Sequence, residues 1–112
     1  MDTAPVMNDH GLTIGFVGYT DANSAPGARE FEDAVLALLP DHGAAVVYRG
    51  RRIPGQPDHL PLELHLIWFP STEAFHAYLD DPRRAALLEQ YGDVFSTKHA
   101  VELIPLTGHL AR

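Results

Sequence analysis

The run from Leu60 to Phe69 (LPLELHLIWF), closed by Pro70-Ser71, constrains this chain more than any other segment. Successive side chains of a strand point to opposite faces, so Leu62, Leu64, Leu66 and Trp68 share one face and Glu63, His65, Ile67 and Phe69 the other. No helical stripe fits that alternation. Pro70 cannot donate to a sheet ladder and stops the strand, and Ser71 is a helix N-cap. A strand that runs straight into a capped helix is the anchor for reading the rest.

Upstream, Leu12 to Thr20 (LTIGFVGYT) reads as a strand, because β-branched and aromatic residues dominate and Gly15 and Gly18 disfavour a helix. A turn-rich link follows, with Ser24 as N-cap candidate and Pro26 in the first turn. Ala28, Phe31, Ala34, Val35, Leu38 and Leu39 then recur at helical spacing, with Arg29, Glu30, Glu32 and Asp33 assigned to the solvated side. Pro40 ends or kinks this helix, and Gly43 caps it. Ala44 to Ile53 is a second strand, and the short link from Pro54 to His59 makes it an antiparallel hairpin with the third. After the Ser71 helix, Asp81-Pro82 starts another, with Leu87, Leu88 and Tyr91 on its apolar stripe and Gly92 at its end. His99 to Leu106 is a last strand.

The order β-α-β-β-α-β in 112 residues predicts one α+β domain over residues 12–106: a ferredoxin-like βαββαβ unit with a four-stranded antiparallel sheet. Residues 1–11 are expected to be a flexible leader and 107–112 a loose tail. Helices on one face leave the other bare. Val17, Tyr19, Ile67 and Phe69 are assigned to that bare face, and so much apolar surface calls for a second copy packed sheet against sheet.

Composition narrows the partners. With 8 Lys+Arg against 15 Asp+Glu the formal charge is −7, and protonating all 7 histidines would bring it to zero. An acidic chain with scattered arginines is a poor match for nucleic acid. No apolar run is long enough for a membrane span, and no targeting signal is legible, so a cytoplasmic protein is expected. The absence of cysteine removes disulfides and thiolate chemistry. No metal-binding motif such as H-x-x-x-H is present, no phosphate loop follows a strand, and a monomer this small leaves little room for haem. No cofactor is therefore expected.

The stretches HGAAVVYRGRR (residues 42–52), LIWFPSTEAFHAYLDDPRRAAL (residues 66–87) and VELIPL (residues 101–106) resemble the dimeric α/β-barrel superfamily. The likeness is closest to a bacterial subgroup of unknown activity, in which V-x-R-G leads through a hairpin into I-x-F-P-S and a helix. It covers roughly residues 12–106. The superfamily is related to the cofactor-independent monooxygenases of the antibiotic-biosynthesis type, and it also holds lactone isomerases, haem-dependent enzymes and proteins without known activity. The resemblance implies a homodimer acting on an aromatic or polyketide-like small molecule as a metal-free oxygenase, cyclase or isomerase, with reduced flavin as a conceivable co-substrate. The alternative is a non-catalytic small-molecule-binding or structural dimer.

His65 is the candidate base: an imidazole inside an apolar strand can take a proton from a phenol or an activated carbon, or it can simply be a hydrogen-bonded core histidine. Glu63, on the same face, is a binding candidate that can equally pair with Arg49 or Arg51 across the hairpin. Arg49 matches the arginine of the subgroup's R-G segment and is the candidate partner for a substrate oxyanion, with an ion pair as its alternative. Trp68 is a candidate aromatic wall by likeness to related oxygenases, Tyr78 and Tyr91 candidate hydroxyls, and Tyr19 a candidate at a barrel mouth; for each, plain packing is the competing role. His10, His42, His59 and His109 are expected to be solvated.

Overall fold

The computed structural model describes residues 11–104 and 106. Most of the expected leader and tail, with His10 and His109, lies outside the described residues.

Strand β1 (Leu12–Tyr19) is followed by helix α1 (Ala25–Leu36), a single 3-10 turn (Leu39–His42), strands β2 (Ala45–Arg51) and β3 (Glu63–Phe69), helices α2 (Thr72–Leu79) and α3 (Pro82–Tyr91), and strand β4 (Thr97–Leu103). The sheet order is β2-β3-β1-β4, and every neighbouring pair is antiparallel. Among the described residues no helix is long and apolar enough to cross a membrane.

Local chemistry sets the boundaries. Ser71 accepts a hydrogen bond from the Ala74 amide at 3.0 Å, and Asp81 accepts one from the Arg83 amide at 2.9 Å with Pro82 beginning α3. Gly43 takes φ 69° at the end of the 3-10 turn, a left-handed conformation that suits glycine. Ser24 stands at the N-cap of α1, yet its side chain makes no cap hydrogen bond. β4 begins two residues earlier than expected, at Thr97.

The core lies between the helices and one face of the sheet, built from Phe31, Val35 and Leu39 against Ile14, Ile67 and Phe69. The expected face assignment of β3 is corrected here. Ile14 pairs with Ile67 and Phe16 with His65, so even positions of β1 share a face with odd positions of β3. Val17 and Tyr19 do lie on the face away from the helices, but Ile67 and Phe69 lie beneath them. Phe69 packs on Phe75 at 5.0 Å and Tyr78 at 5.7 Å between ring centroids. The open face carries instead Val17, Tyr48, Leu64, Leu66, Val101 and Leu103.

Candidate functional site

The reversal puts Glu63 and His65 under the helices, where both are buried. A β-bulge brings two arginines to meet them. The register of β2 on β3 shifts between Val46 and Tyr48, so that Arg49 faces His65 and Arg51 faces Glu63. An extra residue in one strand inverts which side chains point up. Without it, both arginines would emerge on the open face.

Glu63 is the hub of this cluster. Arg49 donates to its two oxygens at 3.0 and 3.1 Å, Arg51 donates from Nε at 2.5 Å, and His65 Nε2 lies 2.6 Å from Oε1. Asp33, on the exposed side of α1, accepts from Arg49 at 2.8 Å. Burial alone would raise the Glu63 pKa, but hydrogen bonds from His65, Arg49 and Arg51 outweigh it and hold the carboxyl down at about 2.

Glu32 approaches His65 from the other side. It belongs to α1, is buried, and sets Oε2 3.4 Å from His65 Nδ1. Among the described residues no arginine hydrogen-bonds to it, and burial dominates: its pKa is pushed up to about 7, with His65 lowering it and Glu63 raising it further. One imidazole therefore sits between a firmly ionised carboxylate and one that exchanges its proton near neutrality. Ionised Glu63 only accepts, which places the ring hydrogen on Nε2 and leaves Nδ1 of the neutral imidazole as the basic nitrogen, turned towards Glu32.

A cavity of about 110 Å³ opens between sheet and helices, with His65, Glu32, Phe16, Tyr78 and Arg84 on its walls. A second hollow of about 310 Å³ shares Phe16, Glu32, Arg84 and Ala100 with it and extends to Lys98 and His99 on β4. Phe16 stacks on the His65 ring, with centroids 5.0 Å apart and planes 26° from parallel. The Tyr78 hydroxyl donates to the Val35 carbonyl at 3.1 Å, and burial pushes its pKa up to about 12.

The sequence candidates thus separate. His65 and Tyr78 line the cavity; Arg49 and Glu63 do not, and meet each other in the ion pair held open as their alternative. Trp68 is buried on the opposite side of the sheet, where Gly11 lies so close that an added Cβ would come within 2.0 Å of the indole nitrogen. It does not line this cavity, because the face it was grouped with is the open one. Tyr91 packs edge-on against Phe31 at 6.0 Å, and Tyr19 lines a separate surface hollow with His59 and Ser96. His42 departs from the solvated role expected of it: it lies 2.8 Å from Asp81 and packs edge-on against Tyr78.

Glu32, Glu63 and His65 each present a ligand atom within 4.8 Å of the others, a donor set with the chemistry of a divalent-cation site. Two guanidinium groups already occupy Glu63, and their charge opposes a cation at the same carboxylate.

No family model matches the sequence, and none of the curated proteins matches it significantly. Solved structures do. A candidate antibiotic biosynthesis monooxygenase from Bacteroides thetaiotaomicron superposes with TM-score 0.71 at 13% identity, over 88% of this chain and 91% of that one. A NIPSNAP family protein of unknown function from Agrobacterium tumefaciens gives TM-score 0.65 at 16% identity, over 88% and 91%. A dimeric ferredoxin-like protein of unknown function from Thermobifida fusca gives 0.56 at 15%, over 83% and 89%. The fold is ferredoxin-like. At these identities the likeness carries the architecture, and the chemistry has to come from the ferredoxin-like domain's own residues.

Proposed function

We propose that the protein is a small-molecule enzyme that removes a proton from an aromatic or polyketide-like substrate in the cavity beneath the helices, and that it works as a homodimer joined through its open sheet faces. The observation that carries this reading is the setting of His65: it stands in the wall of an aromatic-lined cavity, with Nε2 held by ionised Glu63 and Nδ1 towards Glu32. Nδ1 takes the substrate proton, and Glu63 stabilises the imidazolium that forms. Arg49 and Arg51 keep Glu63 ionised, so Arg49 is not free for the oxyanion role expected of it, and the cation on the cavity wall is Arg84. Glu32 accepts or returns the proton near neutral pH. The carbanion or phenolate left behind can react with dioxygen, close a ring or isomerise.

The test is a panel of phenols, quinols and polyketide-like β-diketones, scored for turnover. His65→Ala should lower the rate on any substrate found by about 10²–10⁴-fold, the usual worth of a general base, while leaving the oligomer unchanged by native mass spectrometry. An undiminished rate in that variant contradicts the assignment.

A further inference from the structure

Four of the seven lysine and arginine side chains among the described residues are engaged with carboxylates. Arg49, Arg51, Arg52 and Arg83 each form an ion pair with an aspartate or glutamate. Arg84, among the described residues, forms none. Its guanidinium lies over the Tyr78 ring, 5.4 Å from the centroid, and its Nε is buried without a hydrogen-bond partner. It also lines both hollows described above. An unsatisfied buried N–H is unfavourable, and that cost is recovered when a ligand supplies the missing acceptor. Beyond Arg84, in the larger hollow, stand His99 and Lys98, the one lysine of the sequence. In a chain of net charge −7, Arg84 and Lys98 place two cationic groups on one groove, and the Nε of Arg84 is buried there.

The apolar part of the groove is aromatic. Phe16 and Phe95 meet edge to face with centroids 5.6 Å apart, and Phe31 completes the wall. Such a wall accepts a flat ring. A guanidinium at its side offers parallel donors that match a carboxylate in two-pronged geometry.

We propose that the groove binds a flat aromatic carboxylate, its ring against Phe16 and Phe95 and its anionic oxygens on Arg84, with Lys98 adding a weaker attraction at the outer end. This rests on reading the same cavity as the site of proton transfer, and it names the class of molecule that site takes. The anion on Arg84 would direct the remainder of the ring towards His65. Glu32, the acidic group of the same wall, donates a hydrogen bond to such an anion when protonated and repels it when ionised.

The full chain is titrated calorimetrically at pH 6.5 with 2-naphthoate and with 2-naphthamide, its neutral counterpart of the same shape. The carboxylate should bind at least about tenfold more tightly, as expected for a charge-assisted contact. Arg84→Gln should abolish that preference while leaving the amide's affinity in place; Lys98→Gln should reduce it by less. Equal affinities in the unaltered protein, an amide preference, or no binding of either at millimolar concentration overturns the proposal without any variant having to fold. Normal naphthoate binding with turnover that survives His65→Ala removes the base and keeps the anion site, whereas His65-dependent turnover without a carboxylate preference removes the anion site alone.

Discussion

Beneath the helices β3 carries Glu63 and His65, each 1% exposed; on its other face it carries Leu64, 42% exposed, and Leu66. The helix-covered face holds two carboxylates, an imidazole and two guanidinium groups in contact, while the uncovered face is lined by Val17, Tyr48, Leu64, Val101 and Leu103. Water and apolar surface are thus on the wrong sides for a sheet that serves only as a scaffold. Apolar residues in place of a buried ionic cluster are often equally stable or more so, so stability alone does not explain keeping it there. A wide bare apolar face is in turn an association surface. In the function proposed above, chemistry belongs to the covered side and assembly to the open one.

The sharpest way to break this contrast is to change adjacent residues of the one strand. Glu63→Gln removes the charge that balances Arg49 and Arg51 and should cost about 3–5 kcal/mol in urea unfolding. Leu64→Asp, one residue on, should leave the unfolding midpoint within about 1 kcal/mol once dissociation is taken into account, yet yield a monomer in native mass spectrometry. Equal losses from both would show that the two faces do not differ in kind. Phe69, first expected at the interface, is no longer a probe of assembly, because it lies in the core against Phe75 and Tyr78.

A smaller effect follows from the two carboxylates beside His65. For Glu32 the folded pKa is raised from 4.5 to about 7. Its stabilising contribution is complete below pH 4.5 and is lost as pH climbs through 7, leaving a cost on the order of 3 kcal/mol in alkali. Glu63 runs the other way: with its folded pKa lowered from 4.5 to about 2, its contribution is present above pH 4.5 and is lost as pH falls through 2. Glu32→Gln should therefore stabilise the protein by about 1–3 kcal/mol at pH 8 and hardly at all at pH 5, read from thermal unfolding at the two pH values. Smallest of the set, Tyr78→Phe should cost about 1 kcal/mol through loss of the hydrogen bond to the Val35 carbonyl, at every pH below 10.

What was legible in the sequence was local. Pro70-Ser71, Asp81-Pro82 and Gly92 end or begin elements where expected, because caps and turns depend on a few neighbouring residues; the first helix instead stops at Leu36, ahead of Pro40, and Gly43 closes a separate 3-10 turn. The facing of β3 was not legible, since alternation within a strand says nothing about which side the helices cover; that depends on the register between strands. The β2 bulge is likewise a property of the pair, and it alone brings Arg49 and Arg51 to Glu63. Glu32 reads as a solvated charge and Arg84 is not singled out in the sequence, yet both carry a signal. Glu32 falls four residues after Ala28, one after Phe31 and three before Val35, and Arg84 falls three and four before Leu87 and Leu88. Both are therefore members of the apolar stripes of their helices, and a charge on such a stripe is a candidate for a buried site.

The central claim is that one histidine sits between two carboxylates whose environments drive their proton affinities apart, and it is tested most directly by carbon-detected NMR titration of the glutamate carboxyls between pH 2 and 9. One resonance should titrate near pH 7 and vanish in Glu32→Gln, while that of Glu63 stays ionised down to about pH 2. Glutamates that all titrate together near 4.5 would contradict the account.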